Sequence, residues 1–337
     1  MRMFEKDIIA IDMNEEKISI LIGNKYKISD GITIDMPKGA YVDDEIINAE
    51  KIEEVISPFI KKVKGKVKEA AFCVRGQSLI TRHLVLPYMK EEAMRDSIEF
   101  ELKQFIGERI DEYYFDYEIV HYDKNQNSGN ADVLLVAVEK DKVDKLMKLA
   151  SNLKLTVKAI DIYANTTARI FKYLKTSFIK RVKSSGVITI DGHSNSMIIM
   201  EWGRLSLEKY QGYGMYKASE DGITNQDSYN KFLQSIDLTE VREEEEKYDR
   251  FFQSLISQYN ALIQFYTSGK VKKNLDKIYV AGSARNVRGI NQYLEVNFGT
   301  KFGELPSFKD FKFNVKAPKK IELEEYMNSY GLLLRRE

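Results

Sequence analysis

An apolar run that ends in aspartate, turns tightly and returns as a second apolar run occurs twice in this chain. The first copy is Ile8-Ile-Ala-Ile-Asp12, a link through Asn14, Glu15 and Glu16, then Lys17-Ile-Ser-Ile-Leu21. The second is Val187-Ile-Thr-Ile-Asp191, a small polar loop, then Met197 to Trp202. The copies lie about 180 residues apart. Each predicts a β-hairpin with an aspartate where the first strand ends. The run before Asp12 is apolar on both faces, as a strand buried in the middle of a sheet must be. A chain of 337 residues exceeds one ordinary core, so the repeat predicts two α/β lobes, one per hairpin.

The intervening sequence supplies the other elements. Ile52, Val55, Ile56, Phe59 and Ile60 have helical spacing, with Pro58 expected to kink or delay that helix. Strands are predicted over 69–74 and 79–86, followed by an amphipathic helix over 90–106 that buries Met94, Ile98, Leu102 and Phe105. Strands over 113–122 and 132–138, a helix over 140–151, a strand over 157–160 and a helix over 163–174 follow. The basic, Ser-rich stretch 175–185 reads as a lobe boundary. Residues 239–268 read as one long helix with an acidic first turn and Gly269 as its stop. A strand over 277–281 leads into Gly282-Ser283-Ala284, and 330–334 reads as an apolar helix end in the core.

Composition narrows the function. Lys and Arg total 52 against 51 Asp and Glu, without the basic excess that a nucleic-acid binder needs. The single cysteine, Cys73, lies in the apolar run Ala-Ala-Phe-Cys-Val and reads as a core thiol. His83, His121 and His193 lack metal-ligand spacing, and no Gly-x-x-x-x-Gly-Lys-Ser/Thr or Gly-x-Gly-x-x-Gly loop is present. Met1 to Asp7 runs straight into a strand pattern, and no stretch approaches the roughly 20 apolar residues of a membrane span. The expected location is the cytoplasm, with any membrane role exercised through partners.

What remains is the duplicated hairpin plus the Gly282 turn. Two such hairpins facing across a cleft present backbone N–H groups to phosphates. An aspartate on each holds Mg²⁺ through water, because this ion keeps most of its hydration shell. A glycine turn in the second lobe packs against adenosine. This is the logic of the actin, sugar-kinase and seventy-kilodalton-chaperone superfamily.

The details resemble the PilM family of type IV pilus assembly, actin-like relatives of FtsA, over the whole chain. The segments that carry this are Ile9-Ala-Ile-Asp12; Leu86-Pro87 with Met89; Ile98-Glu-Phe-Glu101 with Phe105-Ile106; Asp132 to Val138; Lys158-Ala-Ile-Asp161 to Arg169; Ile188 to Asp191; Ala281-Gly-Ser-Ala284; and Tyr330 to Arg335. The resemblance implies a ribonuclease H-like duplicated fold with an inserted FtsA-like subdomain. The first lobe would comprise 1–76 and 156–180, the insert 77–155, and the second lobe 181–337 with a cap near 215–265. It implies a nucleotide site at Asp12, Asn14, Lys17, Asp191, Gly192, Gly282 and Ser283, with ATP and Mg²⁺ as ligands, the ion held by Asp12 and Asp191 through water. Asp161 would position the attacking water, or else cap a helix.

The departures fall in the phosphate loops. Asn14 stands where the family has a glycine, Glu15 and Glu16 replace small hydroxyl residues, and Ser19 replaces a lysine. Like charges about 4 Å apart cost on the order of 4 kcal/mol at an effective dielectric near 20, so two glutamates oppose a triphosphate there unless Lys17 turns inward. The expectation is a scaffold that binds the cytoplasmic N-terminal tail of PilN in a groove between the first lobe and the insert. That groove is expected beside 69–74, 79–86 and 90–106. The scaffold would couple PilN to the pilus assembly ATPases and the platform protein at the inner face of the cell membrane. The rival reading is an active ATPase switch.

Overall fold

The computed structural model describes residues 6–63, 67–122, 129–179, 182–219, 223, 226–239, 247–268 and 273–335. The first sheet takes β1 (Ile8–Met13), β2 (Lys17–Asn24), β3 (Lys27–Asp35), β6 (Glu69–Val74) and β10 (Thr156–Ile162), in the order β10-β6-β1-β2-β3. β1 runs antiparallel to β2 and parallel to β6, which leaves β10 and β3 as edges. A two-residue pair, β4 (Tyr41–Val42) and β5 (Glu45–Ile46), precedes helix α1 (Ala49–Val63). Pro58 lies inside α1, which nonetheless runs unbroken for 15 residues.

The second sheet repeats the plan. β11 (Ser184–Ile190), β12 (Asn195–Glu201), β13 (Arg204–Gln211), β14 (Lys277–Ala281) and β15 (Phe302–Gly303) stand in the order β13-β12-β11-β14-β15. β11 is antiparallel to β12 and parallel to β14, the same neighbours that β1 has in β2 and β6. The sequence repeat is therefore a structural repeat, and the chain is a two-lobed α/β protein.

A third sheet sits between β6 and β10 in the sequence. It is antiparallel, with β7 (Ile80–Pro87), β9 (Asn130–Glu139) and β8 (Tyr113–Tyr122) in that order. Helix α2 (Glu91–Ile106) covers it with Met94, Ile98 and Leu102, giving this unit a small core of its own. Phe105, expected on that buried stripe, is 51% exposed, with the Arg82 guanidinium over its ring.

Helices α3 (Lys140–Asn152) and α4 (Tyr163–Lys172) flank β10, and the short α5 (Thr176–Ile179) follows. In the second core, α6 (Gln226–Ser235), α7 (Lys247–Thr267) and α8 (Ile290–Phe298) bury Tyr229, Phe252, Leu255, Tyr259 and Leu294 against Ile188 and Ile190. Residues 240–246, expected as the first turns of the long helix, lie outside the described residues, as does Gly269. The last helix, α9 (Met327–Leu333), departs from the expected lobe division. It packs on α4, β1, β2 and β6, and Phe311, Ile321, Tyr330 and Leu333 join the first core. Gly331 permits this approach, because a Cβ there would stand 2.4 Å from the Thr166 carbonyl oxygen on α4.

Candidate functional site

The two hairpins face one another, and their link residues meet. Between β1 and β2, Asn14 Oδ1 accepts from the N–H groups of Glu16 and Lys17, at 2.9 and 2.8 Å. This Asx-type closure engages the amides that a phosphate-binding turn would leave open. Glu16 reaches over to the second lobe, where its Oε1 accepts from Gly192 N–H. Beside it, Glu15 Oε1 accepts from Asp43 N–H at 3.0 Å, and Glu15 Oε2 lies 3.2 Å from His193 Nδ1. Lys17 does not turn toward this centre. Its Nζ lies 3.4 Å from Glu325 Oε2, and Arg285 of the second lobe holds the other oxygen of Glu325.

Each repeat aspartate is committed to a neighbour. Arg75 Nη2 donates to Asp12 Oδ1, and Asn328 Nδ2 donates to Oδ2 at 3.2 Å. Arg75 follows directly on β6, the parallel neighbour of β1, so the strand order itself brings the guanidinium to Asp12. In the second lobe Asp191 Oδ1 accepts from Ser283 N–H at 2.9 Å. Gly282 has φ +86°, and a Cβ there would meet the Ile190 carbonyl at 2.5 Å and Asp191 Oδ1 at 2.7 Å. Ser283 Oγ is 2.9 Å from the Tyr229 hydroxyl. The Tyr216 ring lies on Gly192, 2.2 Å from where a Cβ would stand.

The electrostatics follow from this crowding. Removal from water raises the Glu16 pKa, and the Asp191 charge adds to the effect. Removal from water also raises Glu15, to about 7, with Asp44 contributing. Burial alone would lower Arg75, but the Asp12 charge reverses this and holds the guanidinium protonated. Asp44 Oδ2 accepts from the Tyr210 hydroxyl on β13, a further bond between the lobes.

Asp161 lies elsewhere. It pairs in register with Cys73, which in turn pairs with Asp12, so it stands two strands away, about 10 Å at ordinary strand spacing. Its Oδ1 accepts from Ile162 N–H at 2.9 Å, and its Oδ2 is 2.5 Å from Arg169 Nη2 and 3.5 Å from Arg335 Nη1. The N-cap position of α4 is Ile162, and no side chain caps that helix, so Asp161 stands as an ion-pair partner of Arg169 and Arg335 that also accepts from Asn165 Nδ2 at 3.1 Å.

Asp161 lines a cavity of about 600 Å³ between the first and third sheets. One wall is Tyr114 to Glu118 and Val120 of β8, and another is Ile160 to Ile162 of β10. Consecutive strand residues reach it on both sides. The runs at β8 and β10 include residues of both parities, so the two strand edges border the cavity, while alternate residues Leu134, Val136 and Val138 of β9 add the face of the third sheet. β8 and β10 are indeed the edges of their sheets. Arg204 Nη1 donates to the Val120 carbonyl, and Arg335 Nη1 to the Ile160 carbonyl at 3.4 Å. Of the three segments expected beside a partner groove, only Val74 reaches this cavity.

The family profile for "Type IV pilus assembly protein PilM" matches residues 7–337. The chain belongs to the PilM family. Among solved structures it is similar to the "PilM-PilN type IV pilus biogenesis complex", with a TM-score of 0.78, 12% identity, and 97% of each chain covered. It also resembles the ethanolamine utilization protein EutJ from Carboxydothermus hydrogenoformans (TM-score 0.51, 9% identity, 99% of this chain and 91% of that one). A third is MreB5 of Spiroplasma citri, solved with ADP (TM-score 0.51, 10% identity, 90% and 93% covered). At these identities the likeness is one of fold, and the fold is actin-like. Among the described residues, no helix is long and apolar enough to cross a membrane.

Several residues that shape the cleft were not foreseen: Arg75, Asn328, Tyr210 and Tyr216. Arg75 carried one legible signal, since an arginine directly after a buried apolar strand demands a nearby carboxylate. Asn328 and Tyr216 are placed by contacts between distant segments, which local pattern does not encode.

Proposed function

We propose that this protein is a scaffold of the type IV pilus inner-membrane assembly complex, and that it holds the cytoplasmic N-terminal tail of PilN in the cavity between β8 and β10. The observation that carries this reading is the pair of sheet edges facing one cavity. An unpaired edge is a template for an added strand, and an extended peptide can satisfy both edges through main-chain hydrogen bonds. Side chains alternating along it would meet Tyr114, Asp116 and Glu118 of β8 and the charged group of Asp161, Arg169 and Arg335. Through that tail the protein would sit at the inner face of the membrane, in reach of the pilus assembly ATPases and the platform protein. Isothermal titration of the folded protein with the tail peptide of its cognate PilN tests this. Binding at micromolar affinity or better supports the reading, and no binding refutes it.

The same reading takes the nucleotide site as degenerate. Its support is that the cleft residues do not fit Mg²⁺ and a triphosphate as they stand. The guanidinium of Arg75 lies against the carboxylate that would hold the hydrated ion, and like charge disfavours a second cation there. Glu16 occupies the Gly192 amide and Tyr216 covers that loop. The rival, an ATPase switch, draws on ADP in the MreB5 structure of the same fold. Thermal denaturation with and without Mg-ATP separates the two. A rise in Tm that Asp12→Ala or Asp191→Ala abolishes would favour the switch.

A further inference from the structure

We infer that the cleft is held shut by side chains of the protein standing where a nucleotide and its cation would stand: the Glu16 carboxyl in place of a phosphate at the Gly192 amide, and the Arg75 guanidinium in place of the cation at Asp12. The inference rests on the reading that the site is degenerate, and it adds what replaces the ligand.

The chemistry matches at both positions. A carboxyl oxygen accepts from a backbone N–H in the same geometry as a phosphate oxygen. Glu16 comes from the first lobe and Gly192 from the second, so their bond exists only with the lobes closed. A nucleotide phosphate in an actin-like cleft closes the lobes in the same way, by contacting both hairpins at once. Arg75 differs in kind. It comes from the strand beside β1, so it neutralises Asp12 whatever the second lobe does. The planar guanidinium fits a carboxylate and cannot be lost to solution as a metal ion can. The Tyr210 hydroxyl on Asp44, and the chain Lys17–Glu325–Arg285, tie the lobes together along the same seam. Closure here is thus an intramolecular property of the fold, independent of nucleotide supply.

Hydrogen exchange at the Gly192 amide of the nucleotide-free protein tests this. Glu16→Ala is expected to speed its exchange about tenfold or more, the loss of one hydrogen bond of ordinary strength. Glu16→Gln is expected to keep the protection, because its side-chain carbonyl still accepts. Millimolar inorganic phosphate is expected to restore protection in Glu16→Ala and to leave the wild type unchanged. Exchange in Glu16→Ala within about twofold of wild type overturns the inference. Faster exchange that phosphate fails to restore overturns the stand-in role. If Glu16→Ala does not fold, Glu16→Asp, which withdraws the carboxyl by one methylene, is held to the same expectations. Mg-ATP added to the wild type tests the reading underneath separately. Protection or a Tm shift there refutes degeneracy, even if Glu16→Ala behaves as expected.

Discussion

Glu16 and Gly192 stand 176 residues apart in the chain and share a hydrogen bond across the cleft. Each belongs to one copy of the strand–aspartate–turn repeat. The duplication that builds the two lobes therefore also supplies the contact that joins them.

Arg75 is only 4% exposed and has Asp12 as its charge partner. Removing one member of a buried pair leaves an uncompensated charge, at a cost of about 3–5 kcal/mol. Arg75→Ala is expected to lose that much stability in urea denaturation. The double variant Arg75→Ala with Asp12→Ala is expected to recover part of the loss, because the stranded carboxylate is gone. A single-variant loss below about 1 kcal/mol, within the range of an exposed pair, contradicts the assignment.

The two link glutamates make stability depend on pH. Both have folded pKa values above the ordinary 4.5, Glu15 reaching about 7. Between the unfolded and folded values the native state keeps protons that the unfolded chain releases. Their contribution is then full below about pH 4.5 and is lost as pH rises through 7 and beyond. Chemical denaturation at a series of pH values is expected to show stability falling over this window. The double variant Glu15→Gln with Glu16→Gln is expected to flatten the fall, and an unchanged slope would count against the enclosed placement of these side chains.

Gly331 sets the seat of α9 on α4. A methyl group there would press on the Thr166 backbone at 2.4 Å, and backbone cannot rotate aside as a flexible side chain can. Gly331→Ala is expected to cost about 1–3 kcal/mol, the usual range for overpacking a tight contact. A Tm equal to wild type would show that α9 does not sit this close.

Cys73 is buried in β6, and burial pushes its thiol well above the ordinary value. The thiolate is the reactive form, so the native protein is expected to resist a thiol-specific reagent and to react fully in denaturant. Rapid labelling of the folded protein would contradict a core position.

Much of this fold is legible in the sequence, for physical reasons that differ by element. β1 and β11 are apolar on both faces because both faces of each strand are buried, so continuous apolar runs disclosed both central strands and the repeat. α2 disclosed itself through Met94, Ile98 and Leu102, spaced to bury one stripe. Phe105 broke that stripe because its ring lies under Arg82 at the surface, a contact made across β7. α6 escaped notice since Tyr229 and Leu233 are its only buried side chains, too few to mark a period. The placement of α9 in the first core also escaped, because apolar sequence tells that a helix is buried and not beneath which sheet.

The cleft was half legible. Asp12, Asp191 and Gly282 mark where the hairpins and the turn must lie, and Glu15 and Glu16 mark the first loop as acidic. Which groups these residues meet depends on strand order and on contact between the lobes. Arg75 becomes the partner of Asp12 only once β6 lies beside β1, and Glu16 meets Gly192 only across the cleft.

The account turns on a partner strand entering between β8 and β10. Hydrogen exchange of the folded protein with and without the cognate PilN tail peptide tests this most directly. The account predicts added protection at the outward-facing amides of the two edges, every second residue over Tyr114–Val120 and the outward amide of β10 near Ile160, with the rest of both sheets unchanged. Binding that leaves these two edges unprotected, or protects β7 and α2 instead, would contradict it.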